Sequence, residues 1–436
     1  MVSTAYADLP AAERSGRDAL RGQLMLAAVV AYPLLVAPLL TGSSSDELDP
    51  SMNVEAAASN TLNQVFWLLL FVLAVFAGRH APVLRLTARL WPLAAYLVWS
   101  AVSVLWALAP DIVIRRLLLQ VFVVGAVALP IMLIDDADKV RATVLRVMFV
   151  VLVANVLALG LKPPTPLGHA GIYSQKNELG LTAALALLTC VTTLTVGGFL
   201  QRSMAWLGIP LALALLVVSK SKTSLLLAVA IPALGWGVAV AARVLKLSPA
   251  LLFGCMLALV IPIGLGIAEV IDLTLDDVLR AAFGDATFTG RTDIWDFAAA
   301  QIAANPVLGY GFNGFWAVGD ASPAAFSESE LIASILQAHN GYLDILLETG
   351  FVGLALFFAL LAIVIKECGV VNARSVAAGA FVIALTLFTV LHNGFESTAL
   401  RRFHPVWLFM LIAAAMAATA HPPAKRTTTD EEDSRC

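Results

Sequence analysis

Apolar stretches recur along most of the chain, each about twenty residues long, the length at which a helix crosses a hydrocarbon core ~30 Å thick. Inside lipid every backbone N–H and C=O must find its partner within the protein, and a helix does this within one segment. The chain is 60% hydrophobic and 13% charged, with a mean hydropathy of +0.88, whereas soluble domains run near a quarter charged. These features predict an all-α polytopic membrane protein with little room for a soluble domain. Net charge is only -3. No basic tract is long enough to track a nucleic acid, so the bilayer is the expected partner.

The apolar runs place twelve transmembrane helices, at 24–41, 61–78, 91–108, 117–134, 143–161, 179–199, 204–219, 223–241, 250–270, 342–365, 375–392 and 405–420. The tight junction Ser219-Lys220-Ser221-Lys222 also admits one long kinked helix in place of two. Residues 1–23 and 421–436 read as cytoplasmic tails. Nine spans fill 24–270, a large loop fills 271–341 and three spans fill 342–420. The N-terminus has acidic residues and no early apolar run, unlike a cleavable signal peptide.

Charge sets the orientation, because cytoplasmic connections carry an excess of Lys and Arg. With a cytoplasmic N-terminus, 17 of the 27 basic residues fall on inner segments, among them Arg79, Arg85, Arg89, Lys139, Arg141, Arg146, Lys366 and Arg374. The acidic loop with Asp46, Glu47, Asp49 and Glu55 then lies outside. Ten basic residues break the rule: Arg115, Arg116, Lys162, Lys176, Lys220, Lys222, Arg280, Arg291, Arg401 and Arg402. Outward cations at span ends either snorkel to lipid phosphate or converge on an anionic substrate, for which Arg forks and Lys charges are both suited.

One polar interruption of about seventy residues separates Val270 from Tyr342. Thr289 to Ile302 reads as an amphipathic helix with Ile294, Phe297 and Gln301 on one side, and Pro306 ends it. Arg291 then stands in its first turn, as an ordinary interfacial arginine or as a ligand for a lipid-linked phosphate. Gly309, Gly311 and Gly314 allow a tight turn. His339 and Asn340 directly precede the tenth span. The histidine is suited to proton transfer near neutral pH, or it is a passive neighbour of an Asn340 helix cap. A second pair, His392 and Asn393, ends the eleventh span and is followed by Glu396, Arg401, Arg402 and His404. In Gly171-Ile172-Tyr173-Ser174-Gln175-Lys176-Asn177-Glu178, Asn177 is placed to cap the sixth span, and Lys176 has no such structural role.

Cys190 and Cys255 lie in apolar runs, Cys368 in a short connection and Cys436 at the last position. No CxxC or His-Cys cluster is present. No HExxH motif is present either, and the one Asp-x-Asp, Asp136-Ala137-Asp138, falls on an inner connection, so no metal and no cofactor are expected. The outer segments lack an Asp-x-Asp, which argues against a metal-dependent sugar transferase acting there.

Several of these pieces occur together and in order: Tyr173-Ser174-Gln175-Lys176-Asn177-Glu178-Leu179-Gly180; Ser219-Lys220-Ser221-Lys222-Thr223-Ser224; Gly290-Arg291-Thr292-Asp293-Ile294-Trp295; Pro306-Val307-Leu308-Gly309-Tyr310-Gly311-Phe312; and Ala338-His339-Asn340-Gly341-Tyr342-Leu343. In this combination the chain resembles the O-antigen ligase and polymerase family of bacterial envelope proteins, most of all its ExoQ-type, exopolysaccharide-polymerising branch. The resemblance runs from about the third span to the twelfth. It implies a glycosyltransferase C-like bundle in the inner membrane. The implied reaction is metal-independent transfer of saccharide from an undecaprenyl-diphosphate carrier to an acceptor hydroxyl on the periplasmic face. Two positions depart from the pattern. Gln175 stands where many relatives have His, and Lys222 stands where relatives often have Arg, keeping the charge but losing the fork.

The expected chemistry follows. Outer-face cations stabilise the leaving diphosphate: chiefly Arg291, Arg115 and Arg116, with Lys220, Lys222, Arg401 and Arg402 as further contributors. His339 orients or deprotonates the acceptor, giving displacement with inversion. Lys176, Asn177, Asn340, His392 and Asn393 face saccharide or acceptor. A flippase and a chain-length regulator of the same pathway are the expected protein partners. Ligation of a finished glycan to lipid A core, or to another acceptor, uses the same donor chemistry. A lipid-linked oligosaccharide transporter predicts charges deep within the spans, whereas this chain gathers them at one face.

Overall fold

The computed structural model describes residues 11–41, 61–166, 168–270, 291–316 and 318–421. The expected acidic outer loop, the tail beyond residue 421, and the stretch 271–290 with Arg280 lie outside the described residues. Among the described residues the chain is helical, with only an isolated bridge between Thr165 and Gly168. The order is α1 (Ala11–Ala31, continued by a π-turn Tyr32–Val36 and by Ala37–Thr41), α2 (Thr61–Ala77), α3 (Val83–Arg89), α4 (Trp91–Val102) with a 3-10 turn Ser103–Trp106, α5 (Pro110–Ile134), α6 (Ala137–Leu159), α7 (Lys176–Val191), α8 (Phe199–Ser219), α9 (Lys222–Leu245), α10 (Pro249–Val270), α11 (Arg291–Ala304), α12 (Glu330–Ser334), α13 (Gly341–Arg374), α14 (Val376–Asn393) and α15 (Pro405–Thr419).

A helix lies at each of the twelve expected positions. Seven are long and apolar enough to cross a membrane unaided: α1, α5, α6, α8, α9, α13 and α14. The pair α3 and α4, bent by 89°, makes an eighth if taken as one span. α2, the first half of α10 and α15 are apolar but shorter. The protein is therefore an all-α polytopic membrane protein.

Several bounds differ from expectation, each for a local reason. Lys220 adopts the left-handed conformation (φ 54°) and caps α8, so the Ser219–Lys222 junction separates two helices. α7 starts at Lys176 after Gln175. Asn177 therefore lies exposed in the first turn and does not cap it. α13 runs unbroken through Lys366 to Arg374, so Cys368 is a buried helical residue and not part of a connection. α5 starts at Pro110, which puts Arg115 and Arg116 in its second turn.

α14 and α15 form the centre. Nearly every side chain of both is buried, as expected of helices apolar on all sides. α9, α13 and α15 pack around α14, while α15 also meets α5. Small residues allow the closest approach: a Cβ at Gly235 of α9 would sit 2.8 Å from Ala384 Cβ on α14. Around α15's far end, Arg89 donates to the Ala418 and Ala420 carbonyls at 2.8 and 2.7 Å. Buried Arg141 pairs with Asp138, which also accepts from Ser375. A cavity of about 260 Å³ opens here beside Asp135, Asp138, Arg374 and Thr419, at the opposite end of α5 from Arg115.

The described part of the polar interruption, from residue 291 onward, forms a cap with its own core. Ile294 and Ala298 of α11 share a second apolar core with Tyr310, Phe315, Trp316, Ala324, Ile332, Ala338 and Leu347. α11 buries the side that carries Ile294, with Phe297 against the rings of Phe315 and Trp316.

Candidate active site

The site is organised by a break in α13. Gly350 has φ 65° and ψ −167°, which interrupts the helix, and a side chain there would strike the Val307 carbonyl. Such a break frees backbone groups that cannot stay unpaired in a membrane protein. The segment from Pro306 to Gly311 supplies the partners. Tyr310 N–H donates to Leu347 O at 2.8 Å, Gly311 N–H to Glu348 O at 2.9 Å, and Phe351 N–H to Pro306 O at 2.8 Å. Trp99 Nε1 donates to Thr349 O at 3.0 Å. Gly309 (φ 67°) has no room for a Cβ, which would lie 2.6 Å from the Glu348 carbonyl carbon. The glycines expected to allow a turn thus also allow backbone contact with the broken helix.

Above the break, two turns of α13 carry Asp344 and Glu348, both buried and four residues apart on one face. Arg401 meets them both, at 2.7 Å to Asp344 and 3.1 Å to Glu348. The second contact is an ion pair without hydrogen-bond alignment, since the same Nη1 donates to Asn313 Oδ1 at 2.9 Å. Asp344 also accepts from Trp316 Nε1 at 2.7 Å and from Ala338 N–H at 3.1 Å. Burial works against the Arg401 charge, but Glu348 and Asp344 outweigh it and hold the guanidinium above its ordinary range. Arg401 ties the cap to the bundle and has both carboxylates in place of a phosphate.

A second knot joins α11 to α13. Arg291 donates to Phe395 O at 2.9 Å and pairs with Glu396 at 3.0 Å. The other Glu396 oxygen lies 3.0 Å from His339 Nδ1. Burial raises the Glu396 carboxyl, but the His339 hydrogen bond and Arg291 outweigh it and leave it below the usual carboxylate range. His339 has φ 50°, a conformation that costs a residue with a Cβ roughly 1–2 kcal/mol. Trp295 Nε1 to Ala338 O at 3.0 Å and the Asn340 cap, which accepts from Tyr342 and Leu343 N–H, hold it there. Asn340 is thus a helix cap.

Arg116, Arg115 and Arg402 surround these knots on the α5 side. Arg116 donates to the carbonyls of Asn313 and Trp316, and Arg115 is exposed. Arg402 lies over the Phe403 ring, 5.3 Å from its centroid, with its Nε buried and unbonded. Burial, then Arg116 and Arg401, push its guanidinium down to about 9. The physical content is a half-buried charge among like charges, which an anion would relieve.

Of the remaining candidates, His392 and Asn393 back this site, with Asn393 against Gly341 and the His392 carbonyl accepting from Glu396 N–H. His392 is buried against Phe388, and Asn393 is fully buried, its Oδ1 accepting from Thr398 and Ala399 N–H. Burial, then His392, push His404 down to about 3, and its Nδ1 accepts from Val406 N–H to cap α15. Lys176, Asn177, Lys220 and Lys222 gather where α7 meets α9, with Gly180 against Ser221 and Ser224. Lys220 donates to Pro166 O at 3.2 Å, and Lys222 is exposed. Tyr173 of the same loop anchors it, donating to Leu34 O at 2.8 Å in the π-turn. Among the described residues no three His, Cys, Asp or Glu side chains converge to hold a metal ion.

Residues 181–358 match the O-antigen ligase family model. Over 274 residues the chain is 26% identical to the exopolysaccharide production protein ExoQ of Rhizobium meliloti (strain 1021), covering 60% of this chain and 61% of that relative. Over these stretches the chain is similar to the O-antigen ligase and polymerase family. Two shorter matches, 39% and 38% identical over 79 residues, are to proteins described as candidate polysaccharide ligases of Rickettsia prowazekii (strain Madrid E) and Rickettsia typhi (strain ATCC VR-144 / Wilmington). Each spans 18% of this chain and 20% of the relative. The segment matched by the family model holds Arg291, His339, Asp344 and Glu348, while Arg116, Glu396, Arg401 and Arg402 lie outside it.

Asp344 and Glu348 are the site residues that the sequence reading passed over, and Glu396 was named there without a role. Two carboxylates four apart within an apolar run, directly after His339-Asn340, were the available signal for Asp344 and Glu348.

Proposed function

We propose that this protein polymerises undecaprenyl-diphosphate-linked oligosaccharide repeat units into exopolysaccharide by inverting transfer on the periplasmic face of the inner membrane. The observation that carries this reading is the cation excess beside His339. Five arginines (Arg115, Arg116, Arg291, Arg401 and Arg402) stand with three carboxylates, Asp344, Glu348 and Glu396. The net excess of two positive charges would match a diphosphate diester.

In this mechanism the acceptor hydroxyl attacks the anomeric carbon from the face opposite the diphosphate. The bond from that carbon to the diphosphate oxygen breaks, and the diphosphate leaves with the electron pair. Arg115, Arg116 and Arg402 stabilise its charge, and His339 takes the acceptor's proton. No metal ion enters the scheme. Twelve crossings, cytoplasmic termini and a periplasmic cap belong to the same proposal, as do contacts from Lys176 and Asn177 to saccharide and from Lys222 to the diphosphate.

Purified protein incubated with its lipid-diphosphate repeat unit, followed by sizing of the product, tests the reaction. Growth of chains on the carrier is the expected result. The family model's description and the rickettsial relatives favour a second reading, ligation. Transfer of glycan to a different acceptor, without growth on the carrier, would establish it in place of polymerisation.

A further inference from the structure

We propose that Glu396 is a positioning residue that fixes the tautomer of His339, placing the proton on Nδ1 and leaving Nε2 bare for the acceptor. The inference rests on the transfer reading above. Two groups compete for Nδ1. Glu396 Oε2 stands 3.0 Å away and, as a carboxylate, can only accept, which requires Nδ1–H. Gln337 Nε2 stands 3.5 Å away and would donate, which requires a bare Nδ1. The shorter, charge-assisted contact decides for Glu396.

Further contacts keep that geometry. Arg291 occupies the other Glu396 oxygen at 3.0 Å and also donates to the Phe395 carbonyl, so the carboxylate is held from both sides. His339 is fixed in a left-handed conformation between the bonds of Ala338 and the Asn340 cap. Arg291 therefore serves the chemistry through Glu396, not by direct contact with the diphosphate. When the acceptor O–H bond breaks, its proton goes to Nε2. The imidazolium so formed keeps Nδ1–H against a carboxylate that offsets its charge, and the proton later passes to solvent.

The test has two independent arms on the full-length protein in lipid nanodiscs. Nitrogen NMR of 15N-histidine-labelled protein reads the tautomer without any substrate, with His339→Gln used to assign the signal. A protonated Nδ1 and bare Nε2 in the parent, lost or averaged in Glu396→Gln, is expected. A protonated Nε2 in the parent overturns the proposal whether or not the protein polymerises anything. In the turnover arm, Glu396→Gln should lower kcat roughly 10–100-fold, leave donor KM near the parent value, and add nothing to His339→Gln in the double variant. Additive losses, or a change confined to KM, also overturn it. Absence of turnover by the parent with lipid-diphosphate donor counts against the transfer reading alone, since the spectrum still reports on Glu396.

Discussion

Burial and the neighbouring arginines disfavour the ionised state of Arg402. A buried charge without a counter-ion destabilises the fold that holds it, and such sites are where stability is traded for function. Arg402→Met should therefore raise the melting temperature and raise donor KM about tenfold, equivalent to ~1.4 kcal/mol of binding. Thermal unfolding together with donor titration checks both signs, and a fall in stability with unchanged KM would refute the anion-seat role. His339→Gln should abolish turnover, and unchanged turnover across pH 6–8 would reject its role as base. His404 gives a pH prediction. Its folded value of about 3 lies below the ordinary 6.5, so the unfolded chain takes up the proton first. Stability is then complete above 6.5 and declines as pH falls toward 3. His404→Asn keeps a capping acceptor and should flatten that decline in melting temperature. The basic residues and His339 were legible because each stands out against apolar sequence. Their carboxylate partners were not, because which helix ends meet is decided by packing: Glu396 is 57 residues from His339.

In α13 the start was legible and the interior was not. Asn340, expected either to face saccharide or to cap α13, does cap it, since its side chain can reach two free N–H groups of the first turn. α13 continuing to Arg374 escaped notice because Lys366 and Glu367 read as a connection, yet charged residues near a helix end sit comfortably at an interface. The break at Gly350 was equally hidden, because a lone glycine in an apolar helix is unremarkable by itself. Gly350→Ala should destabilise the protein by about 2 kcal/mol or more from backbone strain, with steric conflict against Val307 added. A melting temperature equal to the parent's would show that the break is not needed. Tyr173→Phe removes the bond to the π-turn of α1 and should cost about 1 kcal/mol, read by the same unfolding measurement.

At the scale of the molecule, charge alternation and the packed helices point the same way. Arg89, Arg141 and Arg374 collect at one end, and Arg116, Arg291, Arg401 and Arg402 collect at the other. Single cysteines at Arg115 and Lys139, in a background lacking the native thiols, should therefore be labelled from opposite sides by an impermeant maleimide. Labelling of both from one side would break the proposed orientation. The stitching of residues 306–311 into the gap at Gly350 has a consequence for inheritance. A loop that completes another segment's hydrogen bonds is not a separable module. Grafting 306–311 from a relative should fail unless residues 347–351 travel with it, so these two stretches, distant in the chain, are expected to change as one unit.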